Sequence, residues 1–131
     1  MKLLLDTHIW LWSLLEPGRL GKRVAREIIS RDNELWLSPI SVWEATLLAE
    51  RRRIAVRGDR AEWIDRLLGA APVREAALTF DVVVQSRTIK LPHPDPADRF
   101  LVASANVHGL TLVTADARLL KAKACQTLAN R

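Results

Sequence analysis

Apolar positions fall into two alternating patterns along the chain. Short unbroken runs occur at Leu3-Leu4-Leu5, Leu35-Trp36-Leu37 and Leu110-Thr111-Leu112-Val113. Runs of that length and continuity predict strands buried on both faces of a parallel sheet. Between them, apolar residues recur at helical spacing. The spacing predicts helices opening at Thr7, over Leu20–Ser30, from Ser41 to the arginines at 51–53, over Arg60–Leu68 with Gly69 as the stop, over Thr79–Ser86, over Ala97–Ala105, and over Ala117–Lys121. The helix over Thr79–Ser86 is expected to pack through Phe80, Val83 and Val84. Two weaker strands are expected, an edge strand within Ala71–Glu75 because of its proline, and a last one over Gln126–Ala129.

Breaks separate these segments. Glu16-Pro17-Gly18, Arg31-Asp32-Asn33 and Gly58-Asp59 read as turns, and Leu91-Pro92-His93-Pro94-Asp95-Pro96 cannot be helical. Helices alternating with buried strands predict an α/β fold, a single-domain three-layer α/β/α arrangement over 1–131 with a central, mostly parallel sheet. No repeat, linker or low-complexity stretch interrupts it.

Composition narrows the class. A chain of 131 residues, 49% apolar and 27% charged, can bury its own core without disulfides or metal staples. Its apolar runs are too short to span a bilayer, so no membrane association is expected. Met1–Leu5 resembles a signal start, but Asp6 and His8 interrupt it. A cytoplasmic protein is the expectation, consistent with a lone cysteine, Cys125. The net charge of +5 suits a polyanionic partner. Arg51, Arg52 and Arg53 form the densest basic cluster, a weak candidate for RNA binding that reads equally as a solvated helix end. Arg118, Lys121 and Lys123 form a second cluster.

The acids carry the chemistry. Among the 15 acidic residues, Asp6, Glu44, Asp98 and Asp116 stand where a strand hands over to a helix or inside a helix's first turn. In a parallel sheet those places open toward one edge, the edge where α/β proteins bind ligands. Four carboxylates gathered there repel one another unless protons or a cation intervene. Oxygen donors without a supporting Cys or His cluster suit Mg2+, or Mn2+, better than zinc. Each acid also has a purely structural reading. Asp6 can cap the helix it precedes, Glu44 can complete a capping box with Ser41, and Asp98 and Asp116 can serve helix dipoles. Asp95 reads as a turn or capping residue, and His8, His93 and His108 as structural.

Four motifs in order, Leu3-Leu4-Leu5-Asp6-Thr7-His8, Ser38-Pro39-Ile40-Ser41-Val42-Trp43-Glu44, His93-Pro94-Asp95-Pro96-Ala97-Asp98-Arg99 and Val113-Thr114-Ala115-Asp116, resemble those of PIN-domain ribonucleases of the VapC toxin type. The resemblance covers nearly the whole chain. It implies a PIN-like fold, a metal-dependent endoribonuclease, and Asp6, Glu44, Asp98 and Asp116 as the catalytic and metal-binding set, with Thr114 as the accompanying hydroxyl. It implies a homodimer and a cognate antitoxin that inserts a segment into the active-site groove. Asp6 and Asp98 are expected as direct metal ligands, and hydrolysis by water predicts a 5′-phosphate and a 3′-hydroxyl. A catalytically silent nucleic-acid or partner-binding module on the same fold is the alternative. An Asp-based phosphotransfer domain fits less well, because His8 stands where a second acid two residues after Asp6 is expected.

Overall fold

β1 (Lys2–Leu5) lies at the centre of the sheet because all three of its leucines can be buried, Leu3 and Leu5 against one layer of helices and Leu4 against the other. The computed structural model describes residues 1–131. Four further strands, β2 (Glu34–Leu37), β3 (Arg74–Glu75), β4 (Thr111–Thr114) and β5 (Thr127–Ala129), complete a sheet of order β3-β2-β1-β4-β5. All its pairings are parallel; Leu4 stands opposite Trp36 on one side and Leu112 on the other. The chain builds outward from β1 through β2 to β3, then returns to lay β4 on the opposite flank. That reversal puts a topological switch point at the carboxyl end of β1, where Asp6 follows.

Seven helices cover the sheet: α1 (Thr7–Leu15), α2 (Lys22–Ile29), α3 (Pro39–Glu50), α4 (Arg60–Ala70), α5 (Phe80–Thr88), α6 (Pro96–His108) and α7 (Ala117–Ala122). One core joins Leu3, Leu5 and Val113 of the strands to Trp10 of α1, Val24 of α2, Ala45 of α3 and Trp63 of α4. The other joins Leu4 and Leu112 to Leu101 and Val102 of α6 and Leu119 of α7. Helices that connect parallel strands run back against them, so α1, α3, α6 and α7 all start at the same edge of the sheet. Their amino ends carry partial positive charge toward it.

Local chemistry sets several boundaries differently from the sequence expectation. Helix α3 starts at Pro39 with Ser38 as its cap, Ser38 Oγ accepting from Ile40 N at 3.1 Å, so Ser41 lies inside the helix and forms no capping box with Glu44. Proline is well suited to a first helical position, which moves the start three residues earlier. Gly69 does not stop α4, which continues to Ala70. On α5 the apolar face is reversed: Phe80 is 92% exposed and Val84 63%, while Val82 and Ser86 are buried. Val82 and Ser86, four residues apart, lie on the side of α5 that packs against α6. Helix α6 ends as its sequence indicates, with Gly109 in the left-handed conformation at φ 67°.

The Pro-rich loop before α6 has an unforeseen anchor. The Arg99 guanidinium donates to the carbonyls of Ser86 (2.7 Å), Leu91 (2.6 Å), Ile89 (3.0 Å) and His93 (3.3 Å). One side chain thereby ties the end of α5 to the loop that follows it, supplying Leu91 and His93 with a donor, and it fixes how α6 approaches α5.

Candidate active site

Each strand end contributes differently to the edge. Asp6 follows β1 at the N-cap position of α1, yet its carboxylate makes no capping hydrogen bond. It accepts instead from Thr114 Oγ1 at the end of β4, at 2.6 Å. Thr114 is fully buried, and its oxygen accepts from Asp116 N at 3.0 Å, so β4 holds Asp6 across the sheet. A comparable arrangement serves Glu44. Thr7 Oγ1 lies 2.5 Å from Glu44 Oε1 and 2.9 Å from Ser41 Oγ. Thr7 has one hydroxyl proton. It goes to the carboxylate, leaving Ser41 to donate to Thr7, and a Ser41–Thr7–Glu44 relay results.

Asp98 and Asp116 complete the set. Asp98 stands in the first turn of α6, whose cap is Asp95, the side chain accepting from Ala97 N at 2.9 Å. Asp98 Oδ2 is buried and has no hydrogen-bond partner. Asp116 caps α7 by accepting from Arg118 N at 2.8 Å. Asp6, Glu44, Asp95, Asp98 and Asp116 all line one groove of about 540 Å3 together with His8, Trp12, Arg19 and Arg118. No three of its acids and histidines close on a common point as a cage.

Electrostatics record the crowding. Burial raises the Asp98 carboxyl to about 7, reinforced by the negative charges of Asp95, Asp116 and Asp6 and opposed by Arg118. Burial also raises Asp6, against the opposing pull of the Thr114 hydroxyl and His8. Glu44 is raised by burial and by Asp6 and Asp95, against the Thr7 hydrogen bond. Asp116 is lowered: its hydrogen bonds and ion pair with Arg118 outweigh its burial. Three acids of one groove thus resist ionisation, the behaviour of carboxylates packed without sufficient counter-charge.

Of the basic cluster, Arg51 lines an adjoining hollow of about 590 Å3 that it shares with Glu44 and Asp95. Arg53 lines a smaller one, about 200 Å3, beside Trp12 and Arg19. Arg52 lies in a separate hollow with Glu50 and Arg60. Sequence reasoning left several groove residues without a role there. Asp95 is both a cap and a wall of the groove, and His8 is exposed at its rim. Arg19 stacks on Trp12 at 4.3 Å, and nothing in its local sequence signals that position. Thr7 and Ser41 could have been found, since both lie inside the motifs that carry the acids.

Comparison with known proteins follows the same lines. A family model described as the PIN domain matches residues 3–124. Ribonuclease VapC22 of Mycobacterium tuberculosis is 38% identical over 117 residues, covering 88% of each chain. The fold is similar to the structure of VapBC2 from Rickettsia felis bound to a DNA fragment from its promoter, with TM-score 0.74, 12% identity and 100% of both chains covered. It is similar also to FitAcB from Neisseria gonorrhoeae, with TM-score 0.64, 20% identity and 96% of each chain covered.

Proposed function

Because the chain belongs to the PIN-domain family, among its VapC-type ribonucleases, we propose that it is a toxin that hydrolyses RNA phosphodiesters at the acidic groove with Mg2+ or Mn2+ as cofactor. The observation that carries this reading is that acids from four separate segments line one groove at the switch point of the sheet, one of them with a buried oxygen that has no partner. The donor set fits a hard cation. Its acids supply only oxygen and are short of positive charge, and Mg2+ keeps several of its waters, so it needs few protein ligands. Asp6 and Asp98 would hold the ion directly, with Glu44 and Asp116 completing the set.

When bound, the ion supplies positive charge that offsets the scissile phosphate and makes hydroxide accessible near neutral pH. The protein supplies the rest. Thr114 holds the Asp6 carboxylate in place, and the Ser41–Thr7 pair fixes Glu44 while leaving Oε2 free of a protein donor. Glu44, with raised proton affinity, accepts the proton of the attacking water. The water oxygen bonds to phosphorus as the bond to O3′ breaks, leaving a 5′-phosphate and a 3′-hydroxyl. Arg19, Arg51 and Arg53, which line the groove and its adjoining hollows, would hold the RNA backbone.

Two surfaces support the partners in this reading. The hollow beside Glu44 is lined by Ile40, Trp43, Leu47, Leu48 and Phe100, and it suits an amphipathic segment of a cognate antitoxin that enters the groove. The outward face of α5, with Phe80, Val83 and Val84 exposed, suits a homodimer contact. No helix is long and apolar enough to cross a membrane, and a cytoplasmic setting agrees with an RNA substrate.

The test is cleavage of structured RNA by the purified chain, with Mg2+ or Mn2+ and with a chelator, beside Asp6→Asn and Asp98→Asn. Metal-dependent cutting that leaves 5′-phosphates and disappears in both variants is expected. Cutting that survives the chelator or both substitutions would sink the reading. A folded protein that binds RNA and cuts none would favour the silent binding module.

A further inference from the structure

One cation already reaches the groove acids. The Arg118 guanidinium places Nη2 3.2 Å from Asp116 Oδ2 and 3.6 Å from Asp98 Oδ2, while Nε lies 3.4 Å from Asp116 Oδ1. The Asp98 oxygen it approaches is the one that lacks a hydrogen-bond partner. Arg118 therefore lies between two of the four acids that a divalent ion would occupy. Arg19, the other arginine of this groove, is held differently. It stacks on Trp12 at 4.3 Å and pairs with Glu16 at 3.8 Å, outside the acid set.

The Arg118 side chain is 62% exposed, whereas that of Asp98 is 15% exposed. The guanidinium can thus turn into solvent at little packing cost, and the acids cannot follow it. We infer that Arg118 is an internal counter-cation of the groove, which occupies the place of the divalent ion and must swing out to admit it. The inference rests on the metal-dependent reading above and adds to it a competitor carried by the chain itself. Its sequence signal is the Asp116-Ala117-Arg118 spacing, which puts Arg118 in the first turn of α7, beside the acid that caps it.

The competition is read directly from Mn2+ affinity, by calorimetric titration of the purified chain without RNA. An exposed guanidinium pair is worth little, so Arg118→Ala and Arg118→Gln are expected to bind Mn2+ about two- to fivefold more tightly than the parent. Arg118→Lys keeps the charge and should stay near the parent value. Arg19→Ala removes a charge from the same groove and frees Glu16, which lies outside the acid set, and should change affinity less than Arg118→Ala. Parent-like or weaker binding by Arg118→Ala, or an equal gain in Arg19→Ala, would overturn the inference while leaving the metal site standing. Absence of Mn2+ binding by the parent and every variant would overturn both.

Discussion

Replacing Asp98 by asparagine should stabilise this protein in a way that depends on pH. In the unfolded chain the carboxyl ionises near its usual 3.8, whereas in the folded chain it holds its proton to about 7. Between those values the folded state binds more protons than the unfolded one, so stability falls as pH rises from about 4 to 7, and the loss is complete above 7. At 1.36 kcal/mol per pKa unit, the difference caps the cost at about 4 kcal/mol. The side chain is only 15% exposed, so solvent screens little of it. Asp98→Asn is therefore expected to gain about 2–4 kcal/mol at pH 8 in the presence of a chelator and almost nothing at pH 4. For a domain of this size the gain corresponds to roughly 7–15 °C in Tm at pH 8. Calorimetry or urea unfolding across pH 4–8 measures it. Added Mg2+ should recover stability in the parent and little in the variant, because the ion replaces the missing counter-charge. A gap that is the same at pH 4 and pH 8, or a variant less stable at pH 8, would refute the reasoning.

Three other substitutions probe the supports of the groove and the packing of the C-terminal segment. Thr7→Val removes the donor to Glu44 and leaves Ser41 Oγ buried without its acceptor; chemical denaturation should show a loss of about 1–3 kcal/mol. The acid limb of its cleavage profile should also move to higher pH, since the Thr7 bond holds the Glu44 pKa down. Arg99→Met removes the donor that ties the carbonyls of Ser86 and Ile89, at the end of α5, to those of Leu91 and His93 in the Pro-rich loop, and should cost about 3 kcal/mol in urea unfolding. Gly21→Ala would place a Cβ 1.8 Å from the Arg131 carbonyl oxygen and disturb the 2.7 Å bond from Gly21 N to Asn130 Oδ1. A lower Tm is expected, restored in part when Arg131 is also deleted, and an unchanged Tm in the single variant would show that the two segments do not pack.

The alternation of apolar runs and helical periods was enough to specify the sheet, its parallel sense and the edge on which the acids stand. Three consecutive leucines before Asp6 can all be buried only in a central strand with helices on both faces. Asp6, Asp98 and Asp116 were legible for the same reason, since the start of a helix in such a fold has one address; Glu44, expected in a first turn, stands in the second turn of α3 because Pro39 starts that helix earlier, and lines the groove from there. Periodicity could not decide which side of a short helix faces in. On α5 it favoured Phe80, Val83 and Val84, but the way α5 packs on α6 turned Val82 and Ser86 inward.

Only the tertiary structure could decide which residues distant in sequence share a bond. Strand order brings Thr114 to Asp6 across 108 positions and Thr7 to Ser41 across 34, and no local pattern encodes those pairings. It also converts Ser41 from an apparent helix cap into part of a relay, because Pro39 starts the helix earlier. Charge behaves likewise. The sequence counts carboxylates, but the resistance of Asp98 to ionisation arises from burial and from neighbours on other segments, and the folded chain alone determines both.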